Sequence, residues 1–506
     1  LIVPREPLMD SSHAPPDRPA GLDSIADLPG PATAEGVFEE PLVSEPPRPA
    51  AGSSQSSRLL TGPLRETVFL LALPVLLEQF LNFCVGTCDI WLAGHLPDES
   101  QATPATAAVG VAAYVGWLAS MLFSVVAAGT TALVARHWGA GEFDRAQRVA
   151  NRSLALSGVA GLGFLVFIWP TAPLFAQALS LDPSAAAITV HYLRLDGIGL
   201  VFSAFSLVGA AALRGAGDMR TPMFILGTVS LINLIVSATL VYGPGPLPAL
   251  GVDGIVAGTV TARLAGGALM IAWLNRSGDG LRLKLGEWSL RGRETRRILR
   301  IGLPAAFDGA VLWAGHFLFL KIISELGAVP LAAHMVGIRI EAITYLPAVA
   351  WGAAAATMVG QSLGNRDPLR ARRAGHEAVW QCSLLGVFIT LAFTLGADAI
   401  FAAMHTDADV CRVGADAFPL VGLFQIPLLV GIIYAAAMRG AGDTRFPLVM
   451  TVVSTFALRL PLAWLLGVEL EWGLWGAWAA MCVDMGARAL LAALRFLHGG
   501  WMRIKV

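Results

Sequence analysis

The chain has 506 residues, 55% of them hydrophobic and only 14% charged, with a mean hydropathy of +0.65 and a formal net charge of −1. A soluble chain carries about a quarter charged residues, so this composition excludes an ordinary soluble protein and implies a polytopic membrane protein whose main partner is the bilayer. The net charge says little about other partners, because charge in such a chain is distributed by side of the membrane, and no nucleic-acid partner is expected. The five cysteines (Cys84, Cys88, Cys382, Cys411 and Cys482) have no zinc or redox spacing. Cys84 and Cys88, four apart on one helix face, read as small apolar packing rather than a metal pair.

Residues 1–57 hold eleven prolines, nine acidic residues and three arginines without an apolar run. Such a segment buries too little surface to order itself and is read as a disordered cytoplasmic tail. Apolar runs follow near 64–94, 106–135, 146–170, 187–213, 221–243, 250–274, 298–325, 331–361, 374–400, 409–438, 446–468 and 473–497. Each is long enough to cross a hydrocarbon core of about 30 Å as a helix, and helix is the conformation that satisfies its own backbone there. The connections alternate in charge. Those after even-numbered spans are rich in arginine, from Arg136, Arg145, Arg148 and Arg152 to Arg291, Arg293, Arg296 and Arg297, whereas the opposite connections carry Asp98, Glu99, Asp182, Asp407 and Glu469. The positive-inside rule puts both termini in the cytoplasm, as for a protein of a bacterial plasma membrane.

Ten residues occur twice. Arg214-Gly215-Ala216-Gly217-Asp218-Met219-Arg220-Thr221-Pro222-Met223 returns 225 residues later as Arg439-Gly440-Ala441-Gly442-Asp443-Thr444-Arg445-Phe446-Pro447-Leu448, each copy between two apolar runs. Pro74 in span 1 and Pro304 in span 7 also match, and both are candidate hinges. The chain therefore divides into an N-lobe (58–274, spans 1–6), an inter-lobe loop (275–297), a C-lobe (298–497, spans 7–12) and a terminal segment (498–506). Six is even, so the repeat is parallel, about an axis along the membrane normal, as in many secondary transporters. The turn itself reads as structural. Gly215, Gly217, Gly440 and Gly442 permit a tight backbone, Asp218 and Asp443 suit a helix cap, Pro222 and Pro447 suit a first turn, and Arg214 and Arg439 face the cytoplasm.

Several local motifs resemble the MATE (multidrug and toxic compound extrusion) transporters: Leu71-Ala72-Leu73-Pro74, Cys88-Asp89-Ile90-Trp91-Leu92-Ala93-Gly94, Ala332-Ala333-His334, Val359-Gly360-Gln361-Ser362-Leu363-Gly364 and both Arg-Gly-Ala-Gly-Asp turns. The resemblance runs over about 64–497 in order. It implies an all-α fold of twelve transmembrane helices, in two pseudo-symmetric six-helix lobes forming a V around a central cavity. It also implies a monomeric antiporter, without cofactor, that exports cationic or amphipathic organic compounds in exchange for Na⁺ or H⁺. Asp89 matches the span-1 aspartate of the family's ion site. Asn233 and Ser237 on span 5 align with its further oxygen ligands, and Thr259 on span 6 lies near its threonine. The resemblance thus makes Asp89, Asn233, Ser237 and Thr259 the ion-coupling set, against the plainer reading of a buried aspartate with neutral partners. One branch of the family has carboxylates where this chain has Leu312 and Leu428, so a C-lobe ion site of that kind is not expected.

Other acids stand inside spans, where ionisable groups are expensive. Glu78 follows Pro74 by four, and Asp308 follows Pro304 by four. They are either a symmetric acidic pair facing the central cavity or acids paired locally with Gln79, Asn82 or His316. Glu341 on span 8 is a third candidate for the substrate cavity. Arg412 with Asp416 and Asp484 with Arg488 have i,i+4 spacing. Asp196, Arg263 and Arg459 find no partner in the sequence, and His334 is placed near a span end. Two competing functions are weighed against ion-coupled export. A lipid-linked oligosaccharide flippase of the same superfamily needs a basic central cavity, whereas spans 1 and 7 carry mainly acids. An enzyme needs a nucleophile–base pair or a metal motif, and none is seen.

Overall fold

The computed structural model describes residues 59–179, 181–243, 248–276 and 280–504. The tail reading for 1–57 lies outside the described residues, as do 277–279 of the inter-lobe loop and the last two positions. The described residues form helices and connections, with no strand among them. Spans 1 to 6 are Leu64–Gly94, Glu99–Gly139, Phe143–Ala178, Pro183–Gly215, Arg220–Tyr242 and Val252–Arg276. Spans 7 to 9 are Arg293–Glu325, Ala328–Gly364 and Pro368–Leu395. Span 11 is Arg445–Glu469 and span 12 is Gly473–His498. All eleven are long and apolar enough to cross a bilayer.

Span 10 departs from the single helix that its apolar run predicts. It is a pair, Ala408–Leu423 and Gln425–Ala441, bent by 48°. Pro427 has no N–H to offer the Leu423 carbonyl. The chain tightens at Phe424, whose N–H goes to the Val421 carbonyl at 3.1 Å. Span 11 keeps its direction but contains two π-helical turns, Ser454–Arg459 and Leu465–Glu469. Pro461 removes the donor that would reach the Ala457 carbonyl, so the hydrogen-bond ladder is interrupted there.

The two lobes have separate cores at the end away from the arginine-rich turns. One joins Phe123, Phe164, Leu193 and Ile255 of spans 2, 3, 4 and 6. The other joins Phe319, Phe401, Phe418 and Trp478 of the C-lobe. At the turn end the cores are shared. Val68, Leu71, Ala72 and Val75 of span 1 pack with Ala350, Ala354 and Met358 of span 8. Ile298 and Ile301 of span 7 pack with Val126, Leu133 and Leu154 of the N-lobe. Each lobe thus lends the start of its first helix to the other. Lobes joined at one end and separate at the other make the V.

Closure at the turn end depends on glycine. A Cβ on Gly139 would sit 2.0 Å from the Gln361 carbonyl oxygen, and one on Gly364 would sit 2.2 Å from that of Arg136. These contacts are reciprocal: positions 139 and 364, and positions 136 and 361, are both 225 apart. A Cβ on Gly360 would lie 2.7 Å from Ala135 Cβ, again 225 residues away, so the pseudo-twofold axis passes between these two residues.

The repeated turns are built on left-handed glycines and aspartate acceptors. Gly217 and Gly442 each have φ of +93°, which favours glycine. Asp218 accepts from the N–H groups of Arg220 (3.1 Å) and Thr221 (3.0 Å) and so caps span 5. Asp443 accepts from Phe446 N–H at 3.4 Å and is paired with Arg495 at 2.9 Å. Arg214 and Arg439, expected to face the cytoplasm, instead turn back into their own lobes. Arg214 donates to both oxygens of Glu78, at 2.5 and 2.6 Å. Arg439 donates to Asp308 at 2.9 Å. Each turn therefore ties the end of its fourth span to the first helix of the same lobe, and the arginine neutralises the acid.

Two predictions follow from this geometry. Replacing Gly364 with leucine overpacks the crossing by an amount that typically costs about 1–3 kcal/mol. The closed population at this end should fall by roughly tenfold, read as a longer spin-label distance between the two lobes; an unchanged distance distribution would reject the glycine crossing as the closure. Glu78→Gln leaves Arg214 buried without a counter-charge, a loss of about 3–5 kcal/mol for a buried pair. Its melting temperature should drop by several degrees, and the Glu78→Gln/Arg214→Gln double variant should recover most of that drop.

Candidate functional site

In the N-lobe, spans 1, 4, 5 and 6 bring polar groups together in an otherwise apolar bundle. Asn233 on span 5 donates from Nδ2 to Thr259 Oγ1 on span 6 at 3.0 Å. The Tyr192 side chain of span 4, itself buried, faces Thr259. Asp89 on span 1 lies within charge–charge range of Tyr192, of Asp196 on span 4 and of Arg263 on span 6. Arg263 and Asp196 are ion-paired through Nη1 and Oδ1, with 2% of the Asp196 side chain exposed against 24% of Arg263. Four acceptor-bearing groups in this part of the lobe, Asp89 Oδ1, Asp196 Oδ2, Asn233 Oδ1 and Thr189 Oγ1, are buried without a hydrogen-bond partner. Buried oxygens are ordinarily satisfied, so this concentration of orphaned acceptors, two of them on carboxylates, makes the cluster the candidate site.

Among the expected residues, Asn233 and Thr259 touch, and Asp89 belongs to the same cluster. Ser237 is buried one turn along span 5, where its hydroxyl donates to the Ile255 carbonyl at 3.4 Å. Gly258 lies against it so closely that a Cβ there would fall 2.1 Å from Ser237 Oγ. Sequence reasoning missed Tyr192, Asp196 and Arg263. The signal was present for the last two, since each is a charge within a span and they have opposite signs. Nothing in the sequence pairs spans 4 and 6.

The acids assigned to the central cavity are placed differently. Glu78 is 3% exposed and paired with Arg214, and Asp308 is paired with Arg439, so a free acidic pair is not present. Glu341 is also 5% exposed, inside the C-lobe rather than on an open cavity. It neighbours Gln425 and Arg459, and its Oε1 has no hydrogen-bond partner. Arg459, set in the first π-helical turn, stands 4.2 Å over the Phe319 ring and 3.9 Å from Asp484. Asp484 accepts from Arg488 Nε at 2.9 Å, as its i,i+4 spacing predicts. Arg412, by contrast, pairs with Asp409 at 3.2 Å and not with Asp416. His334, in the second turn of span 8, is fully buried and accepts from Trp478 Nε1 at 2.9 Å, a core position rather than an interfacial one. Trp464, Trp472 and Trp475 are exposed, as an interfacial belt requires. A basic cleft opens at the turn end, lined by Arg293, Arg296, Arg297, Arg300 and Arg445. It belongs to the closing end of the lobes and not to the N-lobe cluster.

Comparison with known proteins agrees with this architecture. The chain is 28% identical over 443 residues to the probable multidrug resistance protein NorM of Thermotoga maritima, covering 87% of this chain and 93% of that protein. It is 29% identical over 440 residues to the probable multidrug resistance protein NorM of Xanthomonas campestris, covering 85% and 93%. A solved structure described as MATE in the straight conformation matches with a TM-score of 0.79 at 21% identity, over 89% of this chain and 98% of that one. One described as the outward-facing conformation of a multidrug resistance MATE family transporter matches with a TM-score of 0.79 at 21% identity, over 88% and 99%. At that identity these structures speak for the fold. The MatE family model matches residues 74–239 and 304–465, one stretch in each lobe and together well over half the chain, so the protein belongs to the MatE family of membrane transporters.

Proposed function

We propose that this protein is a multidrug efflux antiporter that exports small organic cations or amphipathic compounds in exchange for Na⁺ or H⁺, by alternating access between its two lobes. The observation that carries the exchange is the N-lobe cluster: Asp89, Asn233 and Asp196 each hold a buried oxygen without a partner, in a span-lined interior. An oxygen of this kind is costly unless something binds it. A positive charge entering from one side and leaving to the other therefore does work on the equilibrium between lobe arrangements. The alternation is supported by the glycine crossing at the turn end, which closes one face while the opposite cores stay separate. On the expected topology the closed face is the cytoplasmic one, so the described arrangement opens outward.

Export rather than flipping of a lipid-linked sugar is favoured by where the arginines lie. A pyrophosphate-bearing substrate wants positive charge between the lobes. Here Arg214 and Arg439 are occupied by Glu78 and Asp308, and the basic cleft sits at the turn end. Both curated relatives described above bear names of multidrug resistance proteins.

The deciding experiment is transport of a fluorescent organic cation in proteoliposomes under separate Na⁺ and H⁺ gradients. One of the two gradients should drive transport by the wild-type protein. Asp89→Asn should abolish the driven component while the purified protein elutes as a folded species with an unchanged melting temperature. Driven transport by Asp89→Asn at the wild-type rate would remove Asp89 from the coupling site.

A further inference from the structure

We propose that Arg263 is a built-in counter-ion shared between two carboxylates, Asp196 and Asp89, and that it sets the coupling site to one positive charge per cycle. This rests on the proposed reading of the N-lobe cluster as the coupling site. The charged groups around Asp89 are Asp196 from span 4 and Arg263 from span 6, with the Tyr192 hydroxyl beside them. Asn233 and Thr259 complete the cluster as neutral groups. Two carboxylates against one guanidinium leave a single negative charge. A buried site cannot hold that charge cheaply, and one proton on Asp89, or one Na⁺ against it, makes the cluster neutral.

The geometry lets the arginine serve either acid. It contacts Asp196 through Nη1 alone, although a guanidinium carries five N–H donors in a planar fork. Within this cluster, Asp196 Oδ2 and Asp89 Oδ1, one on each acid, are buried carboxylate oxygens without a partner. A small residue on span 4 makes room for the side chain: a Cβ on Gly199 would stand 3.1 Å from Arg263 Cδ. Gly116 of span 2 lies beside its Nη2, where a Cβ would stand at 3.9 Å. With the cation bound, Arg263 stays on Asp196 and Asp89 is neutral. When the cation leaves, with the proton going from the Asp89 carboxyl to water on the open side, the guanidinium spreads over both carboxylates and lessens the charge exposed to the interior. The arginine thereby eases release and prevents the site from accumulating a second cation.

The test uses full-length protein in proteoliposomes, with ethidium as the transported probe, and reads driven export, its pH profile and the coupling charges (H⁺ or Na⁺, counted apart from the charge of ethidium itself) moved per ethidium. Asp196→Asn leaves Arg263 facing Asp89 alone, a neutral site that needs no cation, and driven export should fall at least about tenfold. Arg263→Gln leaves two negative charges, and the charges moved per turnover should rise from one to two. Asp196→Asn/Arg263→Gln restores a single negative charge on Asp89, and driven export should return to within about threefold of wild type with one charge moved. Driven export retained in Asp196→Asn, or a double variant no better than Asp196→Asn, overturns the proposal and leaves the pair a structural tie. Should Asp196→Asn fail to accumulate, Arg263→Lys and Arg263→Gln decide: the lysine must keep one charge per turnover and the glutamine must move two, and equal stoichiometry overturns the proposal. Asp89→Asn run alongside separates the two readings. If it keeps driven export, the coupling site itself is misplaced; if it loses driven export while Asp196→Asn keeps it, only the shared counter-ion fails.

Discussion

The molecule turns on a backbone crossing that admits no side chain. Where spans 2 and 8 meet, Gly139 lies on the Gln361 carbonyl and Gly364 on the Arg136 carbonyl, with Ala135 and Gly360 between them on the pseudo-twofold axis. Close approach of this kind is what small residues give helices in a membrane, where the hydrophobic effect does not drive association. Because the contact is reciprocal, neither lobe can separate at this point without freeing the other. The starts of spans 1 and 7 extend the same exchange, each buried in the opposite lobe's core. An interface built from small residues and backbone is also one that can part as a unit, since no interlocked bulky side chains must repack.

The buried ion pairs translate that crossing into order within each lobe. Glu78 with Arg214 and Asp308 with Arg439 join the first and fourth helices of their lobes. The peptide backbone at the first of these arginines is in turn held by the other lobe. The Thr357 hydroxyl donates to the Arg214 carbonyl at 2.9 Å, and the Gln361 side chain donates to the Gly215 carbonyl at 2.9 Å. Opening at this end therefore pulls directly on a turn whose arginine is bonded to span 1. Span 1 also carries Asp89 three turns further along. Span 8, the Arg214 turn and span 1 thus form a continuous chain of contacts from the meeting of the lobes to the polar cluster of the N-lobe.

What could be read in the sequence follows the range of each interaction. The spans, the glycine φ requirement at Gly217 and Gly442, the Asp218 cap and the Asp484–Arg488 pair all depend on neighbours within a few residues, and the pattern contains them. The partners of Glu78, Asp196 and Arg459 come from other helices, 136, 67 and 25 residues away. Helix order gives no rotation about each helix axis, so it cannot say which charged faces meet. His334 illustrates the same gap: it lies close to the start of span 8, yet Trp478 from span 12 covers it. The bend in span 10 was local and legible in principle, because Pro427 follows Leu423 by four. An apolar run long enough for a single span concealed it.

The repeat gave both lobes the same frame, and charge counting shows how their interiors came to differ. In the C-lobe, Glu341 and Asp484 stand among Arg459 and Arg488, two acids with two arginines. In the N-lobe, Asp89 and Asp196 share Arg263. By charge count the first set is balanced by fixed arginines, although Glu341 Oε1 is also buried without a partner. The second is one positive charge short. The π-helical turn that ends at Arg459 is part of this difference, because it delivers a guanidinium into the C-lobe core where the N-lobe frame has Asn233 and its neighbours. On the reading proposed above, the asymmetry lets one lobe respond to the ion while the other stays electrostatically fixed, so that binding changes the relation between the lobes instead of shifting both alike.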